Sequence, residues 1–580
     1  MRLFKRFTVI RTERELSGRL ELFRWVVTVL AGAALLVVIL KSGYGLVTSP
    51  LLNRVVYWFN ILVVALFAVD VVLTTAFAGP LLRHLRRRWF DFVAFVPIVV
   101  ALAAGGTGIT FVILRQAVIV FQWFAGSPRF AGFLRRLRLQ PVRLLALSFL
   151  GMVVVGTLLL TFPAATAHGR VTGFTDALFT ATSATCVTGL IVRDTPVYWS
   201  RFGQVVILCL LQLGGLGIMT FSSSMAVVFG RRLGMTERKS LSTMIGEARD
   251  QDIARMLRYI LGFTLLAEAV GALLLFVRFL PDFARPSEAL YCAVFHSVSA
   301  FCNAGFSVFS DSLVRYRGDL AVNFAVITLV LTGGLGFVVV RELLNRDTLR
   351  RGPLSTLRRL SVHARLVLWT SGLLLVGGTV VFFFAEYNGA LGGMKLGTKL
   401  LASAFQAVTP RTAGFNTADI SALRPVTLLL WSVLMFIGAS PGGTGGGIKT
   451  STVAVLFLAV RNRVLGREDV DVGRRLVMKD IVYRATSIAA VSAGIVTFFF
   501  AVLLVTEQAP FQAILFETVS AFGTVGLSTG LTPGLSGPGK IAVTALMYIG
   551  RLGPLTLALA MRTRQGKLPV AYPEARVMVG

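Results

Sequence analysis

Two glycine motifs recur four times in phase, and this repetition limits what the chain can fold into more than any other feature. The first motif closes a short, semi-polar segment: Thr185-Cys-Val-Thr-Gly189-Leu, Asn303-Ala-Gly305-Phe, Thr412-Ala-Gly414-Phe and Thr524-Val-Gly526-Leu. Its glycines are spaced 305−189 = 116, 414−305 = 109 and 526−414 = 112 residues apart. The second motif reads Gly214-Gly-Leu-Gly217, Gly333-Gly-Leu-Gly336, Gly442-Gly-Thr-Gly445 and Gly550-Arg-Leu-Gly553. Its second position follows the first glycine by 215−189 = 26, 334−305 = 29, 443−414 = 29 and 551−526 = 25 residues. A single turn of this kind would read as an ordinary glycine-capped helix connection. Two motifs in phase four times read as a tandem structural unit.

Composition identifies the solvent of these units. Apolar residues make up 55% of the 580 and charged residues only 15%, against roughly 25% charged in a soluble domain. Most of the surface must therefore face lipid. The charge is lopsided, 58 Lys+Arg against 27 Asp+Glu, a net +31. No solvated domain is long enough to gather that charge for nucleic acid. The basic residues instead fall between the units, at 231–258, 341–365, 461–484 and beyond 562, and basic loops mark the cytoplasmic side. Each unit then enters from the cytoplasm, turns near the outside and returns. Four earlier apolar runs, at 25–40, 55–77, 90–104 and 111–124, keep this parity. Both termini are expected in the cytoplasm and the chain in the cell inner (cytoplasmic) membrane as a multi-pass protein. The first 24 residues show no cleavable signal pattern.

The expected fold is all-α and integral to the membrane, with four tandem membrane–pore–membrane repeats around one central pore, preceded by about four extra transmembrane helices. The expected domains are an N-terminal four-helix domain at 1–143 and repeats at 144–232, 258–346, 362–462 and 484–580, the last including the tail.

Within each unit the middle segment is too short and too polar to span about 30 Å of hydrocarbon, so it reads as a re-entrant helix. Irregular backbone at membrane depth is tolerated only against protein or a water-filled cavity. Four such hairpins therefore suggest four loops lining one pathway. Each helix aims its partially negative C-terminus inward, which favours a cation. The glycine turn that follows offers carbonyls to replace the ion's water. The candidate ion-binding residues are Thr185, Val187, Thr188 and Gly189; Asn303, Ala304 and Gly305; Thr412, Ala413 and Gly414; and Thr524, Val525 and Gly526. No acidic residue recurs at the turns, which argues against a carboxylate ring.

Two positions break the symmetry. The fourth copy of the second motif carries Arg551 where the others have a small residue, and a cation inside a membrane costs at least ~2.5–3.5 kcal/mol. It either repels the permeant ion or pins a loop by hydrogen bonds. In the third copy, Pro441 precedes Gly442, Gly443, Thr444, Gly445, Gly446 and Gly447, and no helix continues intact through that run. Lys449 follows it.

These motifs, with Phe301-Cys-Asn-Ala-Gly-Phe, Thr409-Pro-Arg-Thr-Ala-Gly-Phe-Asn-Thr and Gly438-Ala-Ser-Pro-Gly-Gly-Thr-Gly-Gly-Gly-Ile-Lys-Thr, resemble the pore loops of the Trk/Ktr/HKT superfamily of potassium transporters. The resemblance spans about 143–580, and the tail Tyr572-Pro-Glu-Ala-Arg-Val-Met-Val-Gly580 is most like the KtrB-type membrane subunits. It implies potassium as the transported ion, held at filter backbone carbonyls, and it allows a sodium dependence. It implies homodimers and control by a cytoplasmic nucleotide-binding regulatory ring of the KtrA/TrkA type. It also implies that the Gly442–Gly447 loop, Lys449 and Arg551 form an intramembrane gate. A glycine in all four filter turns implies preference for potassium. The chain itself is expected to bind no cofactor and no nucleic acid.

Other patterns are decoys. Gly445-Gly-Gly-Ile-Lys449-Thr lacks the Gly immediately before Lys that a phosphate loop needs. Gly43-Tyr-Gly45 follows Lys41-Ser42 with no pore helix leading in, and reads as a turn after the first span. The four histidines do not cluster, the four cysteines lack CxxC spacing and read as buried thiols, and no nucleophile–base arrangement occurs, so an enzyme is not expected. Asp70, Arg88 and Arg115 resemble a voltage-sensor-like module, but Val118 and Phe121 occupy the next positions where gating charges would repeat. That domain is expected to be degenerate. The competing functional class is a sodium- or proton-coupled secondary cation transporter working by alternating access, which favours paired inverted halves over a fourfold repeat.

Overall fold

The computed structural model describes residues 141–217, 253–344, 360–467, 469–472 and 475–553, with three isolated helical positions at Val26, Leu30 and Trp58. The expected N-terminal module, including Asp70, Arg88 and Arg115, lies outside the described residues. So do most of the basic segments at 231–258 and 341–365 and the tail beyond Gly553.

The described chain is helical apart from one small hairpin. In order the helices are α1 Pro141–Thr161, α2 Phe174–Thr185 and α3 Arg201–Gly215; then α4 Ile253–Phe279, α5 Pro286–Phe301, α6 Leu320–Gly334 and α7 Phe337–Leu343. They continue with α8 Val362–Ala385, α9 Leu396–Val408, α10 Pro425–Phe436 and α11 Thr450–Val464. The last three are α12 Lys479–Thr506, α13 Phe511–Gly523 and α14 Gly537–Leu552. Long apolar helix, shorter helix, turn and third helix follow one another through α1–α3, α4–α6, α8–α10 and α12–α14.

Each long helix has the composition its surroundings require. Among the described residues, Tyr259–Asp282, Val362–Ala385 and Lys479–Thr506 are long and apolar enough to cross a membrane. No more than 33% of any of them is buried inside the protein, so their apolar side chains face outward, as lipid-facing helices do. The third helices start on side-chain caps. Ser200 Oγ accepts from the Gly203 amide (3.2 Å), Asp319 Oδ1 from Val322 (3.0 Å) and Ser536 Oγ from Gly539 (3.2 Å). Pro425 opens α10, where its missing N–H costs nothing.

The units pack in a cycle. The third helix of each lies against the short helix of the next: α3 on α5, α6 on α9, α10 on α13, and α14 back on α2. The apolar core follows the same cycle. One cluster joins the first two units around Trp199, Ile207 and Phe295, and another joins the second and third around Phe279, Phe301 and Phe415. A third carries Trp431, Phe516 and Phe522 together with Phe179 and Leu190 of the first unit. Between α11 and α12 a hairpin pairs β1 Val470–Val472 with β2 Arg475–Val477, antiparallel, in register Val470 with Val477. The Asn462 side-chain amide braces it, donating to the Asp469 carbonyl and the Asp471 carboxylate, both at 2.9 Å. Cys186, Cys292 and Cys302 are buried free thiols as expected, whereas Cys209 is half-buried.

Candidate ion pathway

The four turns share one backbone signature. Val187, Asn303, Thr412 and Thr524 have φ of 55°, 59°, 73° and 49°, and the glycine two residues later is left-handed in every case, at 91°, 69°, 75° and 90°. A left-handed non-glycine costs about 1–3 kcal/mol and survives only where its surroundings impose it. Among the described residues only Ser312 shares this strain outside the turns.

The short helices impose it by taking the turns' amides. The residue before each glycine donates its N–H back to its own helix: Thr188 to Ser183 (2.8 Å), Ala304 to Ser299 (2.8 Å), Ala413 to Thr409 (2.9 Å) and Val525 to Ser520 (2.9 Å). Side chains fix the exit. Ser183 Oγ donates to the Leu190 carbonyl (2.7 Å) and accepts from the Gly189 amide (3.1 Å). Ser299 Oγ donates to Phe306 (2.7 Å), and Thr409 Oγ1 donates to Phe415. The amide before each glycine is consumed in this way, whereas the carbonyls are left over. Among the described residues no hydrogen-bond donor reaches the carbonyls of 187–189, 303–305, 412–414 or 524–526. Buried carbonyls without donors are uncommon, and these gather in one place.

They gather in a ring. A Cβ added to Gly189 would strike the Ala304 carbonyl oxygen, one on Gly305 would strike Gly414 and the Ala413 oxygen, one on Gly414 would strike the Val525 oxygen, and one on Gly526 would strike the Thr188 oxygen. Each glycine thus abuts the next turn, and the fourth returns to the first. Here glycine is required twice, by its positive φ and by the close approach. The third helices come equally close. A Cβ on Gly214, Gly333 or Gly550 would meet the carbonyl of Thr185, Phe301 or Phe522, at the end of the short helix of its own unit.

The segment after α10 lies against one side of this ring. It leaves the helix at Ile437, which bridges to Ile448, and the chain between them is irregular. Gly445 and Gly446 pack on the Thr412 and Thr524 side chains, where a Cβ would have no room. Thr444 reaches the second unit. Its amide donates to the Gly333 carbonyl (3.0 Å) and its hydroxyl to the Phe301 carbonyl (3.2 Å). Arg551, on the last turn of α14, donates from one guanidinium nitrogen to the Thr444 carbonyl and from the other to the Gly214 carbonyl. Lys449 Nζ donates to the Gly445 carbonyl at 2.7 Å. Among the described residues neither cation has a carboxylate partner within 4 Å.

All twenty-one candidate residues named from the sequence therefore fall in one assembly: thirteen in the turns and eight in the adjoining loop, its flank and Arg551. The sequence reading passed over Ser183, Ser299 and Ser520, each six residues before its glycine, a phase visible without a structure. The break in the third unit is not singular. In the others the third helix stops at the same motif, with Gly217, Gly336 and Gly553 at φ 68°, 87° and 82°. What is particular to the third unit is the length of the irregular stretch.

Comparison with known proteins agrees with this architecture. Residues 143–569 match the family model described as TrkH, cation transport protein. The chain is 40% identical to the Ktr system potassium uptake protein B of Vibrio alginolyticus over 440 residues, covering 76% of this chain and 94% of that protein. It is 38% identical to the Bacillus subtilis protein of the same name, over 76% and 97%. To the potassium/sodium uptake protein NtpJ of Enterococcus hirae it is 35% identical, over 77% and 98%. The crystal structure of the potassium transporter TrkH from Vibrio parahaemolyticus superposes with a TM-score of 0.59 at 18% identity, covering 82% of this chain and 97% of that one. At that identity the superposition speaks to the fold.

Proposed function

From the premise that this chain belongs to the TrkH family of cation transport proteins, we propose that it takes up potassium through a pore closed by an intramembrane gate. The reading has four membrane–pore–membrane repeats, at 144–232, 258–346, 362–462 and 484–580, around one axis, with the segment 1–143 as a separate helical domain. The carbonyls of the four glycine turns replace the ion's hydration shell, and the short helices aim their negative ends at the same point. A ring of carbonyl oxygens with neither amide donors nor carboxylates suits a monovalent cation held weakly enough to leave.

The Gly442–Gly447 loop closes the cytoplasmic side of that ring. Its tip is pinned by Arg551, whose charge also repels a cation at the exit. Opening requires the Thr444 carbonyl to leave Arg551. A cytoplasmic nucleotide-binding ring of the KtrA/TrkA type, docked on the basic segments, can supply that work through α11. A homodimer in the cytoplasmic membrane, both termini inside, completes the reading.

One observation carries the reading: each glycine packs against the turn of the next unit, and the cycle closes on itself. Such closure favours a single axial pore over alternating access between paired halves. Ion uptake in a potassium-transport-deficient host, with and without a regulatory subunit, tests it. Growth rescue at limiting potassium is the expected result. Failure of expressed, membrane-inserted protein to take up potassium in either condition would overturn the proposal.

A further inference from the structure

Behind the glycine ring, the second and fourth units share a side-chain device that the filter reading does not use. His296 and Glu517 each stand nine residues before their glycine, on α5 and α13, and are 0% and 1% exposed. Ser307 and Ser528 each stand two residues after it. His296 Nδ1 lies 2.7 Å from the Cys292 carbonyl, which can only accept, so Nδ1 carries the proton. In the neutral ring Nε2 then accepts from the Ser307 hydroxyl at 2.9 Å. Ser528 donates likewise to Glu517 Oε1. Each serine oxygen in turn accepts the amide two residues on: Phe309 at 2.9 Å and Gly530 at 2.9 Å. Glu517 also takes the Thr529 amide (3.2 Å) and the Thr532 hydroxyl (2.9 Å).

The other two units differ. The first has Thr180 and Ile191 at these positions, and its exit strand is also held further out, where Arg193 Nε donates to the Asp176 carboxylate at 2.8 Å. In the third, Gln406, with its amide turned to satisfy its surroundings, accepts from the Thr417 and Ala418 amides at 3.1 Å. Because the ring runs from first to fourth in order, the second and fourth turns stand opposite one another. Matched clamps therefore grip opposite sides of the ring.

Resting on the potassium-pore reading, we propose that His296–Ser307 and Glu517–Ser528 are positioning pairs that set ion selectivity. They hold the two exit strands against their helices so that the glycine carbonyls cannot close in on a smaller ion. A carbonyl ring discriminates only if contraction is resisted. Here the amide before each glycine is already spent on the helix, and further resistance comes from the strand just beyond the glycine. Glu517 accepts three donors and His296 one, so the fourth turn is the stiffer and the more sensitive to change.

The test measures initial rates of potassium and sodium uptake by the full-length chain in potassium-transport-deficient cells, at matched membrane levels. The variants are Ser528→Ala, Ser528→Thr, Ser307→Ala and Glu517→Gln, with Gly526→Ser as reference. Ser528→Ala and Glu517→Gln should lower the potassium-to-sodium preference by about threefold or more, the scale of one ordinary hydrogen bond. Ser307→Ala should do less, and Ser528→Thr, which keeps the hydroxyl, should restore preference. A role in stability alone would lower total uptake with the ratio unchanged, and that result would overturn the proposal. If Gly526→Ser also leaves the ratio unchanged, the filter assignment itself fails. If only the clamp variants are silent, the clamp alone fails.

Discussion

Replacing Arg551 by alanine tests the proposed gate. Its guanidinium holds two carbonyls, Thr444 on the loop and Gly214 on the first unit. A hydrogen bond to a charged group contributes about 1.5–3 kcal/mol. If opening breaks only the Thr444 bond, Arg551→Ala shifts the closed–open equilibrium by that amount, about 10- to 150-fold toward open. Thr444 keeps its amide and hydroxyl bonds to Gly333 and Phe301, so the loop should loosen without unfolding. Removing the charge would also lift the repulsion proposed at the exit. Arg551→Lys separates the two effects, because lysine keeps the charge but cannot span both carbonyls with a rigid fork. Initial potassium uptake is compared with and without the regulatory subunit, at matched membrane levels. The alanine variant should show high uptake that no longer depends on the subunit. The lysine variant should fall between. Basal uptake and subunit dependence equal to wild type in Arg551→Ala would refute the pinning role, and the gate would have to lie elsewhere.

Other consequences follow from the same contacts. Gly189→Ser forces a Cβ into the Ala304 carbonyl at a left-handed φ, so the potassium preference over sodium should fall, as competitive uptake measures. Gly445→Ala drives a methyl group against the Thr412 and Ala439 side chains; the loop should fail to seat, raising basal uptake, and its effect should not add to that of Arg551→Ala because both remove one closed state. Glu386, fully buried, accepts from the Arg424 amide (2.9 Å), the Thr427 hydroxyl (2.5 Å) and the Ala390 amide (3.2 Å). Glu386→Ala strands those donors, at a cost of about 2 kcal/mol or more, and should lower the Tm of detergent-purified protein while leaving ion preference intact.

Much of this was legible in the chain because repetition writes itself into sequence. The glycine phase located the turns, the apolar excess fixed the solvent, and the run after Pro441 had to interrupt a helix. These are local constraints: a left-handed φ, a missing N–H or a 20-residue apolar run acts wherever the chain goes. What the sequence did not determine is which groups meet across the units. Nothing local pairs Arg551 with Thr444, 107 residues away, or sets Gly445 on Thr412. Nor does it place Ser307 under His296 and Ser528 under Glu517, since a serine two residues past a glycine is unremarkable until a helix supplies its acceptor. The order of packing, each third helix on the next short helix and α14 back on α2, was likewise beyond sequence reasoning, because the apolar faces are interchangeable and only their combined shape selects the cycle. That closure is what turns four strained turns into one ring, and it belongs to the tertiary structure alone.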